Sequence, residues 1–262
     1  MLVLLAGTVG LLVERPPPRV GLLERMTSPR LVNPADGQHT QVIRWANFLS
    51  DGEISALHAA AASVRASSGE VSRDNGLREA SWLTVFLNHR LRHLLPQFYA
   101  KLFAAARETD ANHWGLLDAS RHALNLRCAE YHTVLEQGGL PMTNHIDQGS
   151  LITMDIMLSD TADFEGGEFQ TPEADGSVLT HRFERGDLLV FNSHKYHRVS
   201  PLTGGTRNVF VCEVWEGLER KCPRRCTEPW GACYCQWKKT DLYLPNETGG
   251  QPKQCPLMQK ES

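Results

Sequence analysis

Between residues 126 and 215 the chain is a succession of short apolar runs separated by turns rich in glycine and proline, and this rhythm constrains the fold more than any other feature. Residues 126–134 form one such run. Residues 151–158, Leu-Ile-Thr-Met-Asp-Ile-Met-Leu, are apolar and partly β-branched, as suits a buried strand. Gly166-Gly167 turns into Glu168-Phe169, residues 178–183 read as a further strand, and Gly186-Asp187 marks the turn before the run 188–191. His197-Arg198-Val199 then passes through an expected turn at 201–205 into the last run, 207–215. About seven or eight strands at such close spacing are expected of a β-sandwich or a jelly-roll barrel.

The chemistry-bearing residues fall inside this region. In an extended strand, residues i and i+2 point to one face, so the imidazole of His145 and the carboxylate of Asp147 can converge on one ion. A third ligand could come from His197, or from His194 beside it, once a sheet folds back. Two histidines and one carboxylate occupy one face of an octahedral Fe(II) and leave positions open for a co-substrate and O2. Zinc is the weaker reading, because its catalytic sites more often use three histidines, or two with glutamate, in tetrahedral geometry. Of the other histidines, His113, His122 and His132 are assigned structural roles, and His181 is expected to face solvent.

Several linked motifs carry a resemblance. Tyr131, Gly138-Gly139, His145-x-Asp147, Gly166-Gly167-Glu168-Phe169, Gly186-Asp187 with its apolar run, His197-x-Val199-x-Pro201 and Gly205-x-Arg207 follow one another in an order and spacing similar to the catalytic domain of prolyl 4-hydroxylase-type, 2-oxoglutarate- and Fe(II)-dependent dioxygenases. The resemblance covers roughly residues 125–217 and implies a mainly β fold with flanking helices around a double-stranded β-helix, or jelly-roll, core. It also implies that His145, Asp147 and His197 are the iron ligands. His197 is preferred to His194 because Arg207 stands ten positions after it, where the family keeps an Arg or Lys. Arg207 would pair with the distal carboxylate of 2-oxoglutarate through its bidentate fork. Tyr131 and Thr153 would offer hydroxyls to the co-substrate. His194 would be a loop or rim residue. The implied cofactor set is Fe(II), with 2-oxoglutarate and O2 as co-substrates and ascorbate as reductant. The implied reaction couples decarboxylation of 2-oxoglutarate, to succinate and CO2, to hydroxylation.

Residues 40–217 are read as one dioxygenase domain, with helical support over 40–124 and the jelly-roll over 125–217. Ser50-Asp51-Gly52-Glu53 has the form of a capping box, and Ile54, Leu57, Ala61 and Val64 repeat behind it at helical spacing. Residues 66–76 break that helix. Residues 82–87 suit a strand and 91–107 a helix, with Pro96 opening a new helical segment.

Residues 1–30 begin with an apolar run of about signal-peptide length and continue into a proline-rich stretch. They read as a possible signal or anchor. In the tail, 218–262, the crowding of Cys222, Cys226, Cys233 and Cys235 fits either disulfides or a four-cysteine zinc site. The irregular spacing and a nearby Asn246-Glu247-Thr248 sequon favour disulfides, and with them the secretory pathway or endoplasmic reticulum over the cytoplasm. Cys128 and Cys212 are expected to be inert buried thiols. No run of eighteen apolar residues makes a transmembrane helix. A formal net charge of only −3 gives no basic footprint, so no nucleic-acid partner is expected.

The expected function is therefore hydroxylation of a peptidyl side chain in a peptide or protein substrate, proline ahead of lysine. Two alternatives stay open: the same chemistry on a small molecule or alkylated base, and a non-catalytic jelly-roll module with a zinc-organised tail.

Overall fold

The computed structural model describes residues 39–68, 71–72, 81–117 and 124–215. The N-terminal segment 1–30, His122, the tail cysteines and the sequon lie outside the described residues.

Strands β1 (Ile43–Trp45), β2 (Val71–Ser72), β3 (Trp82–Phe86), β4 (Asn125–Leu135), β6 (Ile152–Met157), β7 (Phe164–Gly166), β10 (Leu188–Asn192) and β12 (Leu202–Trp215) form one sheet of eight strands. Its order is β1-β10-β6-β12-β4-β3-β2, with β7 pairing β12 off that path. A second sheet has the order β5 (Leu140–His145), β11 (His197–Val199), β8 (Phe169–Pro172), β9 (Val178–His181). All described pairings are antiparallel. Among the described residues, three α-helices, α1 (Asp51–Ser68), α2 (Leu91–Leu94) and α3 (Pro96–His113), complete the jelly-roll with its helical support.

The large sheet is covered on both faces, which explains why 151–158 reads as a continuous apolar run rather than an alternating one. Directly paired residues share a face, and successive residues alternate. On one face, Met154, Ile156, Phe210, Cys212 and Val214 join Ile54, Leu57, Ala61 and Val64 of α1 and Phe98 and Leu102 of α3 in one core. On the other face, Met157, Leu189 and Phe191 meet Phe169 and Val199 of the small sheet. The expected capping box is formed at the start of α1: the Ser50 backbone N–H donates to Glu53 Oε2 at 2.8 Å, and the Glu53 N–H donates to Ser50 Oγ at 3.3 Å. Lys101 Nζ donates to the same glutamate at 2.8 Å and ties α3 to α1. Cys128 and Cys212 are buried, as expected.

Three expectations change. The turn expected over 201–205 is instead the start of β12, whose pairing with β7 shifts register between Leu202 and Gly204. Gly205 permits this: its φ is +78°, and a Cβ there would collide with the backbone of Asp163 and Phe164. Gly205→Ala should therefore cost more than about 2 kcal/mol and lower the thermal midpoint by roughly 4–8 °C, measured by calorimetry. Second, β5 is a strand the pattern did not announce, because four of its six residues are exposed and carry no apolar alternation. Third, α1 runs to Ser68, past the expected break at 66.

Candidate functional site

The pairing of β11 with β5 sets His197 directly opposite His145, with ring centroids 4.9 Å apart. Asp147 follows β5 rather than lying within it, so strand parity does not orient its side chain. Hydrogen bonds do: its N–H donates to the Ser193 carbonyl at 2.8 Å, and Thr153 Oγ1 donates to its Oδ2 at 2.7 Å. His145 Nε2 comes within 3.3 Å of Asp147 Oδ1, and His197 Nε2 within 3.7 Å of Asp147 Oδ2. One ligand atom from each of the three lies within 4.8 Å of the others, the grouping a single ion needs.

His197 is oriented for that task. Its Nδ1 lies 3.0 Å from the Lys195 carbonyl, which can only accept, so the proton belongs on Nδ1 and the lone pair on Nε2 faces Asp147. Phe169 stacks on the ring at 5.7 Å and Phe191 meets it edge-on at 4.9 Å. Burial lowers the His197 pKa, which keeps the imidazole neutral and able to donate its lone pair. Lys195 itself is fully buried and paired with Glu173 at 2.9 Å, which anchors the turn whose carbonyl holds His197.

Arg207 lies on the inner face of the large sheet. Val209, two residues on, pairs with Met157, so Arg207, Met157, Asp155 and Thr153 share that face. The guanidinium is 1% exposed and lies over the Phe183 ring at 5.8 Å. Its Nε and Nη2 are buried and have no hydrogen-bond partner among the described residues. Burial pushes the pKa down to about 10, opposed by the charge of Asp155. A buried arginine with unspent donors fits the carboxylate of a ligand, because leaving such donors unmade is costly.

Thr153 is where the sequence placed it, on the inner face, but its hydroxyl is engaged with Asp147 and lies 2.8 Å from Ser193 Oγ. Its role is to hold the carboxylate. Tyr131 is a correction. It pairs with Phe210 and Val85, so it occupies the helix-facing side of the large sheet, opposite to Thr153 and Arg207. Its hydroxyl meets His58 Nδ1 at 2.7 Å, and burial raises its pKa to about 12. Strand parity alone keeps it out of the site.

His194 is 3% exposed, so it is not a rim residue, and the three-residue grouping contains His197 instead. His181, expected in solvent, lies 2.7 Å from Thr171 Oγ1 and packs on Phe169. His132 is structural, held by Trp82 Nε1 at 2.8 Å and Glu130 at 3.1 Å. Exposed His113 closes α3.

The inner face carries acids that pattern reading passed over. Glu213, which pairs with Thr153, accepts from Arg127 at 2.7 Å and from Ser150 at 2.5 Å, and so props the loop between Asp147 and Ile152. Asp155 is the second. Burial raises its pKa from 3.8 to about 8; Asp147, Glu213 and Glu130 add to this and Arg207 opposes it. The signal was visible as one acid inside the run 151–158. Because the folded pKa lies above the unfolded one, the folded chain keeps a proton that the unfolded chain has lost between about pH 4 and pH 8. Stability of the metal-free protein should fall as pH rises through that window, by up to about 1.4 kcal/mol per pH unit from this group. Urea melts at about pH 5 and about pH 7.5 should show the slope in the wild type and its loss in Asp155→Asn.

Comparison with known proteins agrees with this geometry. No protein-family model matches the chain. A segment of 60 residues is 43% identical to a PKHD-type hydroxylase of Idiomarina loihiensis, covering 23% of this chain and 27% of that protein. The match thus spans about a quarter of the relative's length. Among solved structures, a 2OG-Fe(II) oxygenase family oxidoreductase from Burkholderia pseudomallei superposes with a TM-score of 0.50 at 16% identity, over 76% of this chain and 93% of that one. A prolyl hydroxylase from Trichoplax adhaerens, in complex with a hypoxia inducible factor peptide fragment, gives a TM-score of 0.52 at 14% identity, over 76% and 94%. A short segment of the chain is thus similar to a PKHD-type hydroxylase, and its fold is shared with solved 2-oxoglutarate- and Fe(II)-dependent oxygenase structures.

Proposed function

We propose that the chain is a 2-oxoglutarate- and Fe(II)-dependent oxygenase that hydroxylates a peptidyl side chain, with proline the first candidate. The observation that carries this reading is the conjunction of two groups in one interior: a facial set of two imidazoles and a carboxylate, and a buried arginine with donors to spare. A zinc-organised scaffold would need neither the arginine nor the three-ligand set.

His145, Asp147 and His197 would hold the iron, and Arg207 would pair with the far carboxylate of 2-oxoglutarate. When bound, iron, 2-oxoglutarate and O2 supply an oxidant that exchanges a C–H hydrogen for hydroxyl, with succinate and CO2 as the other products. The protein's own work is positional. Thr153 fixes the carboxylate of Asp147, the Ser193 carbonyl holds its backbone N–H, and the Lys195 carbonyl fixes the tautomer of His197. Phe169, Phe191 and Met157 wall the inner face and keep water from the reacting centre.

The peptide reading draws support from β5. It is an edge strand, its residues 141–144 are exposed, and it ends at His145, the ligand with the most exposed side chain at 28%. An edge strand beside the metal offers backbone groups to an extended peptide. The Trichoplax relative, with its bound peptide, is consistent with that choice.

Incubation with Fe(II), 2-oxoglutarate, O2 and a proline-containing peptide library should yield succinate and peptides heavier by one oxygen, assigned by fragment mass spectra. Succinate formed with free amino acids or alkylated bases, and with no peptide, would move the substrate class. No succinate with any substrate from protein that holds iron and 2-oxoglutarate would sink the hydroxylase reading.

A further inference from the structure

The inner face holds one polar side chain that the reaction as described leaves unused. Asp155 stands in the middle of β6, paired with Leu189 on one side and Val211 on the other, in a strand buried along its whole length. It is 7% exposed, and its Oδ1 is buried with no hydrogen-bond partner among the described residues. Arg207 shares the face and is close enough for its charge to act on Asp155, yet no hydrogen bond joins Asp155 Oδ1 to the Nε or Nη2 of Arg207. Two buried polar groups, each with atoms unmatched and with opposite hydrogen-bonding needs, therefore face one interior without satisfying each other. An unmatched acid in an apolar strand is costly unless something else meets it.

Resting on the function proposed above, we propose that Asp155, as a carboxylic acid, is a second polar contact for the co-substrate and donates a hydrogen bond to the 2-oxoglutarate carboxylate that Arg207 pairs. An ionised aspartate in this position would repel a dicarboxylate, whereas the acid form donates to it. The surroundings favour the acid form: burial does most, and Glu213 and Glu130 add to it against the pull of Arg207. Arg207 alone would accept any 2-oxo acid with a carboxylate at the right reach. A donor beside it adds a directional bond, which raises affinity for 2-oxoglutarate over 2-oxo acids lacking the distal carboxylate. Asp155 is thus a specificity residue for the co-substrate.

The test is calorimetric titration of 2-oxoglutarate, and separately of 2-oxobutyrate, into Mn(II)-loaded wild type, Asp155→Asn and Asp155→Leu. Asparagine keeps a donor and should hold the 2-oxoglutarate Kd within about threefold, while leucine should weaken it by about tenfold or more. Mn(II) affinity and the 2-oxobutyrate Kd should stay unchanged in both. Asp155→Ala, which overpacks nothing, gives the same readout should the leucine variant fail to fold. Equal 2-oxoglutarate affinity in the wild type and the leucine or alanine variant overturns the assignment, as does an equal loss of both 2-oxo acids, which marks a packing role. Metal-loaded wild type that takes up no 2-oxoglutarate at all overturns the proposed function, and this inference with it.

Discussion

Asp147→Ala should abolish metal-dependent turnover while leaving a folded protein. The loss should exceed the roughly 10–100-fold that a supporting contact around a metal ligand is worth, because Asp147 is the one anionic ligand of the set. The fold should survive because the carboxylate works against its surroundings. It is 5% exposed and stands among Asp155 and other buried acids, so its removal relieves like-charge repulsion and leaves only the Thr153 hydroxyl to re-pair, with Ser193 Oγ 2.8 Å away. Thermal melts with and without Mn(II) separate the two effects. The wild type should gain stability with metal, as any ligand selective for the folded state confers, and the variant should not. A variant that still gains stability with metal and still turns over would show that the ion lies elsewhere.

Arg207→Met carries the second large effect. Truncating a buried, hydrogen-bonded charge partner costs about 2–5 kcal/mol, or roughly thirtyfold to several thousandfold in 2-oxoglutarate affinity. Metal affinity should hardly move, since Arg207 is not in the ligand set. Stability without ligand should hold or rise, because methionine fills similar space beside Phe183 without burying unmatched N–H groups. This opposition distinguishes a ligand-binding arginine from a structural one, whose loss would lower stability as well. Equilibrium binding and urea melts of the same variant read both arms.

Much of this arrangement was legible in the residues. The apolar runs gave the central strands, because β6 and β10 are buried on both faces and their composition shows it. His145, Asp147 and His197 were legible because a metal site needs a particular set of donors, and Arg207 because it resolves His197 from His194. The misses have physical causes. Tyr131 was misplaced because β4 is buried on both faces, so its burial pattern does not say which side each residue takes. The pairings with Phe210 and Val85 do. Strand β5 was missed because exposed residues carry no apolar signal. Asp155, Glu213 and Glu130 were passed over because each is the one acid of its strand, which reads as an interruption until the sheets enclose it.

The same acids bear on how the site works. The interior holds the acids Asp147, Glu130 and Glu213 against the counter-charges Arg127 and Arg207. A divalent cation offsets that negative charge, and a dianion then meets less repulsion there. Binding of each should then favour the other, and 2-oxoglutarate should bind far more weakly to metal-free protein than to Mn(II)-loaded protein.

The most direct measurement is anaerobic titration of 2-oxoglutarate into protein reconstituted with Fe(II), followed by visible absorption. The account predicts a new metal- and ligand-dependent band that saturates at one equivalent of each and is absent in both Asp147→Ala and Arg207→Met. Protein that binds iron through these residues yet shows no band, and no heat, on adding 2-oxoglutarate would contradict it.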